Sequence, residues 1–183
     1  LVHFGAGNIF RAFPAALQQK LLNEGIEKTG IIVAEGYDYE IIKKAYRPQD
    51  DLSLLVTLKA NGTIEKTVIG SLAESLTVDR HDAADWNRLK EIFASNTLQM
   101  VSFTITEKGY SITSPDGAFR ADVKADFEAG PENADSYIGK LAALCYWRYT
   151  QGAAPLALVS MDNCSHNGDK LFAAVDAYAK AWT

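Results

Sequence analysis

Cysteine is scarce in this 183-residue chain: Cys145 and Cys164 stand alone, with no CxxC spacing and no histidine pair nearby. Neither a disulfide framework nor a zinc site is readable, no metal is expected, and a reducing, cytoplasmic setting is the default. No stretch approaches the roughly 20 apolar residues of a membrane span, and no charged segment leads into an apolar one as in a secretory leader. Lys and Arg form no long run, and 18 of them against 23 Asp plus Glu leave a net charge of −5. The electrostatic footprint of non-specific nucleic-acid binding is therefore missing. What is present, 48% hydrophobic and 22% charged residues, is ordinary globular composition. At this length roughly 70% of the unfolded surface can be buried. The chain opens at Leu1 without a methionine, inside an apolar run, and is expected to be part of a longer protein.

Leu1 to Phe4 reads as a strand, Gly5 to Phe10 as a glycine turn, and Ala12, Phe13, Ala16, Leu17, Leu21 and Leu22 as the apolar stripe of a helix. Pro14 is tolerable in the first turn of that helix, and Gly25 suits its end. Gly30 to Ala34 is a second apolar run, continuous enough for a strand covered on both faces. Asn61-Gly62 between the strand-like runs Leu52 to Ala60 and Thr63 to Leu72 predicts a β-hairpin. Asp82 to Ala94 predicts an amphipathic helix with Asp82 or Asp85 as its N-cap. Leu98 to Thr106 predicts a strand with a polar C-terminal end, and Ser114 to Asn133, rich in Asp, Gly and Pro, a loop. A helix over Ala134 to Thr150, a buried strand over Pro155 to Ser160, and a last helix with Leu171, Phe172, Val175, Tyr178 and Trp182 on its apolar face complete the chain. Apolar strands alternating with amphipathic helices give an α/β, Rossmann-type, doubly wound and mainly parallel sheet with helices on both faces and an inserted hairpin. The cheapest organisation is one dinucleotide-binding domain over residues 1–183.

Gly5-x-Gly7, between the first strand and the first helix, occupies the position where a dinucleotide pyrophosphate sits. One glycine lets the chain turn tightly and the next lets backbone approach phosphate. Gly5, Ala6, Gly7, Asn8, Ile9 and Phe10 are the candidate cofactor-binding residues of this turn, although Phe10 stands where a third glycine is usual. Glu35 ends the second strand and Asp38 lies three residues on. Either carboxylate suits the adenosine ribose hydroxyls and favours NAD over the 2′-phosphorylated cofactor, which Gly36 beside Glu35 leaves open.

Three segments together resemble the mannitol dehydrogenase family of polyol-specific long-chain dehydrogenases and fructuronate and tagaturonate reductases. They are His3 to Ala12 (HFGAGNIFRA), Thr104 to Tyr110 (TITEKGY) and Ser160 to Gly168 (SMDNCSHNG), and they span nearly the whole chain. In that family a bulky residue in the place of Phe10 is normal. The resemblance implies an NAD(P)-binding Rossmann domain followed by a mostly helical substrate domain, which this sequence lacks. It also implies a zinc-free reaction in which a Lys from the second domain is the general base and Asn side chains stabilise the oxyanion. Of those groups the chain carries the Asn of the Asp-Asn pair, Asn163, as candidate catalytic residue, and an amide can donate to a developing alkoxide. The resemblance further makes the stretch around Thr106 and Glu107 a wall of the nicotinamide side.

The same residues admit blander roles. Asp162-Asn163 and Asn167-Gly168 are good turn formers, Lys108 reads as surface rather than as the missing base, and His3, inside an apolar strand, reads as core. Arg11 is placed to reach pyrophosphate or an acidic neighbour. Ser160 and Ser165 lack a nucleophile-elbow context, so no hydrolase is expected. The expected function is the cofactor-binding domain of an oxidoreductase that interconverts a sugar alcohol or sugar acid with its keto form, acting on a small molecule and not on nucleic acid or membrane. The alternatives are a dinucleotide-binding module without chemistry and, against the hairpin and the Asp-Asn motif, a Rossmann-like methyltransferase.

Overall fold

A computed structural model describes residues 1–152 and 154–183. The chain divides into two compact units, Leu1–Thr77 and Val78–Thr183.

In the first unit β1 (Val2–Phe4) and β2 (Ile31–Glu35) pair in parallel, and β2 pairs in parallel with β5 (Leu72–Thr77) on its other edge. The first helix is two helices: α1 (Asn8–Ala12) breaks at Phe13, and α2 (Pro14–Asn23) starts on Pro14 as its first residue. Proline offers no N–H and disfavours helical backbone at the residue before it, so the stripe read from sequence continues while the helix does not. Gly25, φ 71°, follows the end of α2 in the left-handed conformation. After β2 comes a helical run that sequence did not assign: α3 (Tyr39–Ile41), one π-helical stretch over Ile42–Tyr46 and a 3₁₀ turn at Arg47–Gln49. Ile42 and Tyr46 bury themselves against Ala6, Phe10, Ile31 and Val33, which anchors the run on the sheet. The hairpin forms as expected from β3 (Ser53–Leu58) and β4 (Ile64–Ile69), antiparallel with Leu58 opposite Ile64. Its turn is closed by the Gly62 N–H on Lys59 and the Thr63 N–H on the Asn61 side chain.

The second unit contains α4 (Ala83–Ala94), β6 (Met100–Phe103), α5 (Thr106–Gly109), α6 (Ala121–Ala129), α7 (Tyr137–Thr150), β7 (Ala157–Ser160) and α8 (Asn167–Trp182). Asp82, not Asp85, caps α4 by accepting the Asp85 N–H, while Leu89 and Phe93 fill the core. β6 and β7 are parallel neighbours. The strand expected to reach Thr106 ends at Phe103, because Thr106 takes a positive φ of 64° and begins a short helix instead. The loop expected over Ser114 to Asn133 contains α6, which buries only Val123 and Asp126. β7 is half-buried rather than buried, and Phe172 is exposed, so α8 packs through Leu171, Ala174 and Tyr178.

Two buried polar groups hold this unit together. Arg148 donates to the carbonyls of Phe93, Ser95, Leu98 and Ala154 at 2.6–3.1 Å, satisfying the C-terminal end of α4 and the chain beyond it. Asp126 accepts the backbone N–H groups of Asp135 and Ser136 and the Tyr178 hydroxyl, which fastens α6 and α8 to the start of α7.

Candidate functional site

The candidate residues fall in two places, one in each unit. In the first, Gly5 turns the chain at φ 110°, a conformation open to glycine. The following residue, Ala6, is held at both ends of its backbone. Its N–H donates to Glu35 Oε2 at 2.7 Å and its carbonyl accepts the Tyr46 hydroxyl at 2.8 Å. Glu35 is buried, and its other oxygen accepts the Tyr37 and Asp38 N–H groups at 2.8 and 3.3 Å. Glu35, one of the two carboxylates expected to suit the ribose, thus binds the turn itself and the chain that leaves β2, while Asp38, the other, stands exposed beside it. Tyr46, with its proton held well above the ordinary range by burial, had no signal in sequence: it lies forty positions from the group it binds.

Gly7, Asn8 and Ile9 are exposed, and a Cβ added at Gly7 would meet nothing within 4 Å. That is the open backbone a pyrophosphate needs. The first bond of α1 runs from the Arg11 N–H to the Gly7 carbonyl, so the N–H groups ahead of it have no intrahelical acceptor. Phe10 is different: its ring is fully buried and stacked on His3, centroids 4.4 Å apart, which leaves only its backbone to the turn and makes both residues core. Arg11 donates to Asn8 Oδ1 and lies 5.8 Å over the Tyr46 ring. A cavity of about 420 Å³ opens alongside, lined by Asn8, Arg11, Ala12 and the β3 residues Ser53 to Leu55.

In the second unit the site lies at the C-terminal ends of β6 and β7, where parallel sheets place ligands. Asp162 follows β7, and its carboxylate accepts the N–H groups of Ile105 and Thr106 at 2.9 and 3.0 Å and the Tyr110 hydroxyl at 2.5 Å. Tyr110 is buried and also meets Ser160 Oγ at 2.7 Å. Burial and then the bond to Asp162 hold its proton well above the ordinary range. The Asn167 amide donates to the Asp162 carbonyl at 2.8 Å, closing the loop from the other side. The sequence motifs 104–110 and 160–168 are therefore one hydrogen-bonded structure. Sequence placed Asp162 and Tyr110 inside the family-like segments and read Asp162 as a turn former, but gave neither side chain a role in the site.

Asn163 is exposed beside this network, and among the described residues no hydrogen bond involves its side chain. Thr106 and Glu107 are exposed as well, with Glu107 paired to Lys170 at 2.5 Å. Lys108 and His81 are surface residues, and His166 pairs with Asp169 at 3.2 Å. A mostly apolar cavity of about 640 Å³ lies against Glu107, Tyr110, Phe119 and α8. Among the described residues no group of three or more His, Cys, Asp or Glu could hold a metal ion, and no helix is long and apolar enough to cross a membrane.

Known proteins share this chain's pattern along its whole length. The family model of the mannitol dehydrogenase Rossmann domain matches residues 1–183. A D-mannonate oxidoreductase of Thermotoga maritima is 49% identical over 181 residues, covering 99% of this chain and 33% of that protein. A polyol:NADP oxidoreductase of Gluconobacter oxydans is 32% identical, covering 99% of this chain and 37% of that protein. Among solved structures, the mannitol 2-dehydrogenase of Pseudomonas fluorescens, in ternary complex with NAD and D-mannitol, superposes with a TM-score of 0.82 at 29% identity. That match covers 100% of this chain and 37% of that one. The chain thus spans about a third of the length of these relatives. It belongs to the mannitol dehydrogenase family, as the Rossmann domain of that family.

Proposed function

We propose that this chain is the cofactor-binding domain of a cytoplasmic, NAD-dependent oxidoreductase that interconverts a sugar alcohol or sugar acid with its keto form. The 49% identity to a D-mannonate oxidoreductase favours a sugar acid. The observation that carries the reading is the turn after β1: a rigid Ala6 peptide beside a Gly7 with open space where a side chain would stand.

When bound, the nicotinamide accepts or returns the hydride of the carbinol carbon. The protein's part is positioning and charge. Gly5, Ala6 and Gly7 shape the turn, the exposed backbone of Asn8 and Ile9 faces the pyrophosphate with Phe10 buried behind it, and Asp38 is the exposed carboxylate for the ribose. Glu35 contributes by holding the turn. Asn163, with an uncommitted amide, donates to the developing alkoxide, and Thr106 and Glu107 wall the nicotinamide side. The general base comes from outside this chain, from a helical substrate domain of the whole protein.

The test is a titration with NADH and, separately, NADPH, read by energy transfer from the Trp residues to the reduced nicotinamide. Saturable binding with NADH preferred is the expected result. Preference for NADPH overturns the ribose carboxylate, and absence of binding to the full-length protein overturns the dinucleotide site.

A further inference from the structure

Thr106 stands in the left-handed region at φ 64°, where β-branched residues are genuine outliers and which usually persists only when surroundings impose it. The imposing group is the Asp162 carboxylate. Its two oxygens take three donors, the Ile105 and Thr106 N–H groups and the Tyr110 hydroxyl. Because the carboxylate only accepts, the polarity of the chain is set. Tyr110 donates to Asp162 and its oxygen accepts a hydrogen bond from the Ser160 hydroxyl. Packing leaves the turn little slack: a Cβ at Gly109 would come within 2.8–3.0 Å of the Ile105 side chain. The loop on the other strand is equally constrained, by the Met161 N–H on the Phe103 carbonyl and the Asn167 amide on the Asp162 carbonyl. Asn163 follows directly in this fixed backbone.

We propose that Asp162 is a positioning residue for hydride transfer: through Thr106 on one side and the adjoining peptide of Asn163 on the other, it sets the alignment of the site. This rests on the function proposed above, in which Asn163 meets the reacting oxygen. Loss of the carboxylate lets Thr106 relax to an ordinary backbone conformation. The 105–106 turn and the Asn163 amide then lose register, and displacements of about 1 Å at a reacting centre cost roughly 100-fold in rate.

The experiment compares wild type, Asp162→Asn, Tyr110→Phe, Thr106→Gly and Asp162→Asn/Thr106→Gly in the full-length protein. Asn has the same shape but sets an NH₂ group against one of the three donors. The expected results for Asp162→Asn are a kcat lower by roughly 10- to 100-fold, an NADH Kd within about twofold, and faster amide hydrogen exchange at Ile105 and Thr106. Tyr110→Phe loses about threefold in kcat, on the scale of one hydrogen bond. Glycine takes the left-handed conformation freely, so Asp162→Asn lowers kcat by roughly tenfold less in the Thr106→Gly background, measured against Thr106→Gly alone, than it does in wild type, a difference that neither a general loss of stability nor the missing Thr106 side chain would produce. Unchanged kcat in Asp162→Asn, or a loss just as large in the Thr106→Gly background as in wild type, overturns the proposal. A wild type that turns over no polyol or sugar acid with either cofactor overturns the functional reading instead. In that event, unchanged exchange at Ile105 and Thr106 in Asp162→Asn overturns the positioning role as well.

Discussion

Glu35, the last residue of β2, and Ala6, in the turn two residues beyond β1, are joined by a 2.7 Å hydrogen bond from backbone N–H to carboxylate. The acidic residue that ends the second strand is therefore part of the glycine turn. Its replacement by Ala strands three donors, those of Ala6, Tyr37 and Asp38, and is expected to cost about 2–4 kcal/mol of stability. Asp38→Ala, at an exposed position, should stay within about 0.5 kcal/mol while weakening NADH. Urea unfolding together with NADH titration separates the two carboxylates: equal stability losses would refute the division of roles.

Gly7 gives the converse pattern. Its φ is −72° and a Cβ there meets nothing within 4 Å, so Gly7→Ala should leave stability within about 0.5 kcal/mol, the smaller freedom of the unfolded chain being offset by the poorer N-cap of α1. The added methyl occupies the approach of the pyrophosphate, and NADH affinity should fall at least roughly tenfold, about 1.4 kcal/mol. Thermal melting and titration of one protein sample check both halves.

Arg148 is a buried cation satisfied by four backbone carbonyls. Arg148→Met keeps much of the stem and removes every donor, and is expected to destabilise by about 3 kcal/mol. Denaturant unfolding monitored by Trp fluorescence should show the loss as a lower midpoint with an unchanged slope.

Alkali should unfold the protein through its buried phenols. Burial raises the pKa of Tyr46, Tyr110 and Tyr178 above the ordinary 10.0. Their contribution is complete below pH 10 and is lost as pH rises from there toward the folded values, because only the unfolded chain ionises them in that window. Lys140, lowered from 10.5 mainly by burial, has the opposite sign and adds stability as pH approaches 10.5. With three tyrosines against one lysine, stability should fall above pH 10. Phenolate absorbance should rise in step with loss of helical circular dichroism; ionisation of all tyrosines in the intact fold would contradict this.

The hairpin is legible because Asn61-Gly62 is a local signal between two strand-like runs. β1, β2, β6 and β7 were legible for their apolar composition, although β7 is only half-buried. β5 was not, because its buried side includes Ser75 and Thr77, which leave no apolar run to read. α6 was hidden by its composition: one Val and one Asp make up its buried residues, so the helical period has almost nothing to mark it. At the site, the residue types stood out in sequence but their partners did not. Glu35 was legible from its place after a strand, whereas its bond to Ala6 spans 29 positions and that of Tyr46 spans 40. The positive φ of Thr106 has no sequence signature at all, since threonine is a poor choice for that conformation.

The pinning of Ala6 from both sides has a thermodynamic meaning for any ligand docking on the turn. A residue whose N–H and carbonyl are already taken by Glu35 and Tyr46 surrendered its backbone freedom during folding, at about 1–2 kcal/mol per residue. Association then carries no further ordering penalty at that residue, which is what preorganisation means in a binding site. Loosening the Tyr46 contact would move that penalty from the folding step to the binding step, and distant changes in the helical run after β2 would register as weaker affinity without altering a single group on the rim of the turn.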